Sequence, residues 1–206
     1  MKKFFGLFLL LLAYEAHGQP ILKGSKFIGG TTRISFSGPY DSGNGSNKST
    51  EFGIGPTAGL FLSEHWAIGL GAGWQKSTIE FNGSPSGVNF SNISSGYTAT
   101  CFGSWFVPVT EKFYFKLQNS LDFNRQTMKT ENSTSVSSTE RYSLSLNARP
   151  AFVFFPSDHW GVEFGLGALS YAHNQNLSTG DSGNSFGFYV TSSVGLGLYY
   201  YFGFTK

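Results

Sequence analysis

The stretch FGFYVTSSVGLGLYYYFGF, residues 186–204, alternates between two kinds of side chain along its whole length. Its even positions are mostly Phe, Val, Leu and Tyr, whereas its odd positions are mostly Gly, Tyr, Ser and Thr. A period of two residues is typical of a β-strand with two unlike faces. Strands of soluble proteins usually end after about 5–6 residues, whereas a tilted strand needs about 9–11 residues to cross a bilayer. The stretch therefore predicts a membrane-spanning strand.

Similar segments occur along the rest of the chain, and they are joined by two kinds of connection. The predicted strands are 24–36, 50–62, 66–81, 93–108, 113–128, 139–155, 160–173 and 186–204. The tight connections are 63–65, 109–112 and 156–159, and the long polar loops are 37–49, 82–92, 129–138 and 174–185. An even strand number with short turns at one end and long loops at the other is typical of outer-membrane barrels. The sequence thus predicts an all-β fold, an eight-stranded antiparallel up-and-down transmembrane β-barrel.

The fourth predicted strand has two competing outer faces. Tyr97, Cys101 and Trp105 share one parity, whereas Phe102 and Phe106 share the other. Since neighbouring residues of a strand point to opposite faces, we expect a β-bulge or a register slip in this strand.

The N-terminus predicts secretion. Lys2 and Lys3 precede the apolar run 4–12, and the small residues of 16–18 precede Gln19, as in a secretory signal peptide. We therefore divide the chain into a signal peptide, 1–18, and one outer-membrane β-barrel domain, 19–206. No other segment approaches 18 consecutive apolar residues, which excludes a helical membrane protein.

Composition agrees with a lipid-facing surface. Charged residues make up 13% of the chain and aromatic residues 17%, whereas soluble domains carry about a quarter charged residues. A net charge of +2 gives no electrostatic basis for binding nucleic acid. The single cysteine, Cys101, is expected to pack as a small apolar residue.

An internal repeat supports the strand register. Residues 56–73 match residues 150–167 at a constant offset of 94, and each copy reads apolar strand, polar turn, then a strand that begins with Trp. Glycines recur on the predicted inner face of that second strand: Gly69, Gly71, Gly73, Gly165 and Gly167. Small inward residues suit eight strands, because so narrow a barrel has room only for side chains.

Aromatic residues gather beside the short turns and predict a girdle at the periplasmic interface. The residues assigned to this aromatic girdle are Trp66, Trp105, Phe113, Trp160, Tyr200 and Phe202, together with Phe61, Phe106 and Phe155.

Charged residues at inward strand positions predict a lumen charge network with a structural role. Its members are Arg33, Lys116, Asp122, Arg149 and Glu163, accompanied by Gln118, Asn147 and either Asn119 or Asn124. Because unpaired charges in a narrow interior are costly, we expect them to pair with one another. A proton or ion path is the alternative interpretation.

The histidines give no clear active site. His65 and His159 occupy matching turn positions and are expected to serve the turns. His173 could belong to a lipid-modifying hydrolase at the barrel rim, with Ser170 and Asp181 as partners, but the expected His-x-Ser spacing is absent. We predict no catalytic, cofactor-binding or metal-binding residues, no cofactor, and hence no enzyme.

The chain resembles the small outer-membrane β-barrel family, OmpX-like and OmpA-transmembrane-domain-like, in the version common in Bacteroidota. The resemblance rests on the repeated hairpins, with their Ser-Glu-His-Trp and Ser-Asp-His-Trp turns at 63–66 and 157–160, and on the aromatic end at 199–204. It implies a closed, side-chain-filled lumen, polar surface loops, a cell outer-membrane location and a structural or surface-interaction role. The expected partners are outer-membrane lipid and the barrel-assembly machinery, the surface-loop partner is unidentified, and the protein is expected to be a monomer. The alternative is a soluble secreted lipocalin-like barrel, whose apolar residues would face inward around a ligand.

Overall fold

A ring of eight antiparallel strands closes on itself in the computed structural model, which describes residues 21–41, 45–83, 89–132 and 135–203. The strands are β1 (Lys26–Asp41), β2 (Gly45–Phe61), β3 (Trp66–Gly83), β4 (Asn89–Thr110), β5 (Phe113–Asn132), β6 (Val136–Phe154), β7 (Trp160–Asn176) and β8 (Ser182–Phe202). Each strand pairs with its sequence neighbours, and β1 also pairs with β8. The predicted eight-stranded up-and-down barrel is confirmed, whereas the predicted signal peptide lies outside the described residues.

The alternation that predicted β8 appears in its two faces. Phe186, Leu196 and Leu198 point outward and are more than half exposed, whereas Tyr199 and Tyr201 are buried inside. No helix in the described ranges has the length and apolar character needed to cross a membrane.

A belt of apolar side chains surrounds the barrel. It includes Ile28, Ile34, Phe36, Phe52, Ile54, Ile68, Leu70, Tyr97, Leu121, Phe123, Leu144, Leu146, Leu166, Leu169, Tyr171, Leu196 and Leu198. Leu70 is 68% exposed and Phe36 is 76% exposed, although each lies within a regular strand. The lipocalin-like alternative, which required inward apolar residues around a cavity, is therefore wrong.

The strands are longer than the sequence predicts, because they continue into the polar segments assigned to loops. They run for 16 to 22 residues, so each exceeds the span of the belt. In the predicted loops 37–49 and 129–138, for example, the ladders still pair Ser46 with Asn82 and Thr130 with Ser137. Where both faces of a strand are polar, hydrophobic alternation no longer reveals it.

The irregularity expected in β4 is present at the end of the strand, and it does not lie among the competing aromatic residues. Pairing with β5 is continuous from Phe90 to Pro108, and the irregularity lies between Pro108 and Thr110. Both aromatic sets fit one register, since Tyr97 faces outward whereas Phe102 is buried inside. Proline lacks the N–H that a ladder needs, which explains a break at the end of this strand.

Further irregularities lie between Ser37 and Tyr40, between Ala148 and Ala151, and between Gly165 and Gly167. Gly167 has a φ of 140°, which side chains of L residues rarely adopt. This glycine changes the parity of β7, so that Leu166 below it and Leu169 above it are both exposed.

Candidate functional site in the barrel interior

Packed rings fill the interior at the short-turn end. We call this cluster the aromatic floor: Ile21, Phe27, Phe61, Ala67, Phe102, Phe106, Tyr114, Val153, Phe155, Tyr199 and Tyr201. The ring centroids of Phe61 and Phe106 lie 5.0 Å apart, as do those of Phe155 and Tyr201. Offset and tilted rings at such distances attract one another beyond their burial.

The position of three of these rings differs from the predicted aromatic girdle. Phe61, Phe106 and Phe155 are predicted to belong to the girdle, but all three are buried in the floor. The strand period could have shown it for Phe61, because its apolar neighbours Leu60 and Leu62 belong to the opposite face.

Glycines directly opposite two of these rings on the neighbouring strands make room for them. A Cβ at Gly59 would overlap the ring of Phe27, and a Cβ at Gly69 would overlap the ring of Phe102. The inner-face role predicted for Gly69 is therefore confirmed. In the repeat, Glu163 takes the place of Gly69, and Gly165, the counterpart of Gly71, faces open space, so the two hairpins share a backbone plan but not this packing.

A buried ion pair lies directly above the floor. Lys116 Nζ donates to Glu163 Oε2 at 2.6 Å, and their side chains are 3% and 17% exposed. The ammonium also lies 5.8 Å from the ring centroid of Phe106 and 5.5 Å from that of Tyr199. The rings and the carboxylate together replace the water that Lys116 loses.

A second network joins β5 and β6. Asp122 Oδ2 accepts a 2.5 Å hydrogen bond from Arg149 and a 2.8 Å hydrogen bond from Asn147. Arg149 also donates to Ser120 Oγ at 3.2 Å, and Asn147 donates to Ser145 Oγ at 3.2 Å. Asp122 Oδ1 is buried and has no hydrogen-bond partner among the described atoms. The carboxylate is therefore well bound on one oxygen only.

Four of the five predicted lumen charges thus form two pairs. The fifth, Arg33, lies at a strand position where its backbone pairs with Gly53, and its side chain lies outside the described side chains. The choice left open between two asparagines is settled, because Asn124 faces inward and Asn119 faces outward. Gln118 also faces the interior, where its Oε1 accepts a 3.5 Å hydrogen bond from Ser104.

Above the charges, amides and hydroxyls line the extended part of the barrel. Thr98 donates to Asn124 Oδ1 at 2.6 Å, Gln126 donates to Ser94 at 2.5 Å, and Thr130 donates to Asn92. These bonds form a polar ladder between β4 and β5 that the sequence analysis missed. The signal was present as Asn124, Gln126 and Thr130, which share the inward parity of β5.

A cavity of about 280 Å³, lined mainly by polar residues, opens at this end, and we call it the mouth cavity. Its lining residues are Asn124, Gln126, Arg141, Tyr142, Ser143, Asn174, Asn176, Asp181, Ser182 and Gly183. The exposed Arg141 and Asp181 give it one charge of each sign, and the amides offer both donors and acceptors.

The candidate hydrolase residues do not come together. His173 is exposed and its Nδ1 lies 2.8 Å from Asn184 Oδ1. Ser170, three positions earlier on the same regular part of β7, points to the opposite face, and Asp181 lies in the connection to β8. Within the described ranges, no group of three His, Cys, Asp or Glu residues could hold a metal ion.

The turn histidines contribute backbone hydrogen bonds, and the His159 ring also stacks on that of Tyr200, with centroids 5.6 Å apart. His65 O accepts a 2.7 Å hydrogen bond from Phe106 N, and His159 O accepts one of the same length from Tyr201 N. Each carbonyl thus fastens a short turn to the next strand.

The other six predicted girdle residues lie at the short-turn end. Trp66, Trp105, Trp160 and Phe202 are exposed, whereas Phe113 and Tyr200 are half-buried. They meet in outward pairs, with centroids 6.3 Å apart for Trp66 and Trp105, and 5.2 Å apart for Trp160 and Tyr200. Their contact with the lipid interface remains a prediction.

Comparison with known proteins gives fold relatives only. No protein-family model matches the chain, and no curated protein is similar to it in sequence. Among solved structures, a major outer membrane protein from Thermus thermophilus is similar with a TM-score of 0.51 and 13% identity, over 86% of this chain and 99% of that one. Ail, the attachment invasion locus protein of Yersinia pestis, is 15% identical over 88% of this chain and all of its own, with a TM-score of 0.41. Neisserial surface protein A is 14% identical over 85% of this chain and 94% of its own, with a TM-score of 0.35. The chain therefore has the fold of an outer-membrane β-barrel, and its outward apolar belt places it in the outer membrane.

Proposed function

We propose that this protein is a non-conducting outer-membrane barrel that presents a rigid polar surface outside the cell. The observation that carries the proposal is the aromatic floor, where Phe61 and Phe106 are each 1% exposed. The Lys116–Glu163 pair lies above it and occupies the next layer of the interior. Water and ions would have to displace packed rings and a buried ion pair to pass.

The proposal is tested by measuring the ionic current across planar lipid bilayers that contain the refolded protein. We expect no open-channel current from the unaltered protein, and a steady conductance would contradict the proposal. Phe61→Ala combined with Phe106→Ala removes two adjoining rings of the floor and should admit current. Phe36→Ala is the matched control, because that ring is 76% exposed on the outer surface.

The surface that meets a partner is the mouth cavity together with the polar strand extensions around it. Its chemistry suits a hydroxyl-rich ligand such as a saccharide, because Asn and Gln side chains both donate and accept hydrogen bonds. A glycan-array screen should show binding that Asn176→Leu weakens at least tenfold. Ser91→Ala, on the outer surface of β4, should leave binding unchanged. Absence of binding, or equal binding by both variants, would contradict the assignment.

We further propose that the protein has no enzymatic role, since His173, Ser170 and Asp181 lie apart. Lipid analysis of cells that express the unaltered chain or His173→Ala tests this directly. Identical lipid species are expected, and a lipid product that depends on His173 would overturn it.

The signal peptide 1–18 and the Bacteroidota-type origin also stay proposals, supported by the N-terminal residue pattern and the repeated turns. Sequencing the N-terminus of the protein extracted from outer membranes should begin at Gln19. Retention of Met1 would contradict the predicted cleavage.

A further inference from the structure

Asn119 stands in an unusual place on the outer surface. It lies on β5 midway between Phe113, at the short-turn end, and Arg125, at the upper edge of the apolar belt. Its side chain is exposed and faces outward between Leu117 and Leu121. Asn119 makes no side-chain hydrogen bond to any described residue, so the middle of the belt carries an unpartnered amide.

Hydrocarbon cannot satisfy this amide. Lipid tails carry no hydrogen-bond donor or acceptor, and an unpaired polar group in the bilayer core is unfavourable. The polar parts of lipids lie at the two interfaces, each about 12–15 Å from the middle of the hydrocarbon layer. A partner for Asn119 must therefore bring its own polar group into the membrane, which points to protein.

The surface around Asn119 permits close approach. Its two cross-strand neighbours are Gly103 on β4 and Ala148 on β6. A shallow outward-facing depression of about 720 Å³ adjoins it, and its outward lining residues are Ala58, Leu60, Ile68, Leu70, Cys101, Gly103 and Asn119. Small residues that let two backbones come close are typical of protein contacts inside membranes.

We propose that this patch, Asn119 with its small neighbours and the adjoining depression, binds a second copy of the same chain. A carboxamide has both a donor and an acceptor, so two Asn119 side chains related by a two-fold axis can exchange two hydrogen bonds. The same surface then serves both partners, as a two-fold contact requires. A dimer satisfies the amide without any other molecule, and it would replace the monomer expected from sequence.

Sedimentation equilibrium in density-matched detergent tests the proposal. The unaltered protein should dimerise, and Asn119→Leu should weaken dimerisation at least tenfold, because Leu has a similar size but no polar atoms. Asn119→Gln keeps the carboxamide and should retain most of the association. Gln175→Leu is the matched control, since it removes an exposed amide of β7 four residues beyond Tyr171 of the belt and should change nothing.

Cys101 locates the contact, because it is the single cysteine of the chain and lines the same depression. A short bis-maleimide should link two copies in lipid vesicles, and Asn119→Leu should abolish the linked product. Unheated gel mobility confirms that each variant is folded before comparison. A monomer at every protein-to-detergent ratio, or a dimer that Asn119→Leu leaves intact, would overturn the proposal.

Discussion

Lys116 on β5 and Glu163 on β7 meet across the barrel interior, with Nζ 2.6 Å from Oε2, although β6 lies between their strands. The pair therefore ties together parts of the wall that no backbone ladder joins. Since both side chains are largely removed from solvent, the loss of either partner leaves the other charge without its counter-ion.

The single substitution Lys116→Met should destabilise the barrel by about 3–5 kcal/mol, the usual cost of breaking a buried pair. Combining it with Glu163→Leu should recover most of this loss, because apolar pairs often replace buried ion pairs with little net change. Urea titrations of folding into lipid vesicles give the free energies. Lys48→Met, on the exposed extension of β2, is the control and should cost little. A double variant no more stable than Lys116→Met would contradict the paired role.

In the second network, substitution of Arg149 should destabilise the barrel more than substitution of Asp122. The Asp122 side chain is 5% exposed, whereas that of Arg149 is 41% exposed and can turn toward water in the lumen. Arg149→Met leaves the buried carboxylate of Asp122 without its counter-ion and should lower the free energy of unfolding by about 3–5 kcal/mol. Asp122→Asn keeps a hydrogen-bonding group and should cost about 1–3 kcal/mol. The same vesicle titrations measure both values, and the reverse order would show that Asp122 is not the desolvated partner.

Glycine substitutions distinguish packed from open parts of the inner wall. Gly69→Ala places a methyl group against the Phe102 ring and the carbonyl oxygen of Ala58, and should cost about 1–3 kcal/mol. A smaller side chain in place of Phe102 would relieve only part of this cost, because the carbonyl oxygen of Ala58 would still contact the new methyl group. Gly165→Ala is the matched control, since open space surrounds the new methyl group. Alanine also has less conformational entropy than glycine in the unfolded chain, which favours the folded state. We expect that variant to be as stable as the parent or more so, and equal effects at both sites would contradict the packing described here.

Bromine-labelled lipids can test the aromatic girdle. Tryptophan fluorescence from Trp66, Trp105 and Trp160, each retained singly, should be quenched most by bromine near the headgroup end of the acyl chain. A tryptophan introduced by Leu121→Trp, in the middle of the belt, should instead respond most to bromine near the chain end. Equal quenching at all four positions would contradict the predicted placement.

Strand period and turn spacing were enough to predict the barrel, because the hydrophobic alternation of β8 requires a lipid-facing side. The same rule, applied strictly to Leu60, Phe61 and Leu62, would also have placed Phe61 inside. Polar extensions were missed because serine and asparagine on both faces leave no alternation to read.

The sequence could not predict which charged residues form a pair. The contact of Lys116 with Glu163 depends on how far the closed ring staggers its strands, and residue spacing does not contain that quantity. Asn119 and Asn124 lie on the same strand, one at an odd and one at an even position. Which of them faces lipid therefore depends only on which parity of that strand points outward.

The ladder that closes the ring is the shortest among the described strands, since it pairs only Lys26–Thr31 of β1 with Gly197–Phe202 of β8. All of it lies at the level of Phe27, Tyr199 and Tyr201, which belong to the aromatic floor. The first and last strands therefore find each other where ring stacking is densest. Docking of the two chain ends and burial of those rings should then be a single cooperative step, and the final one, in the assembly of the barrel.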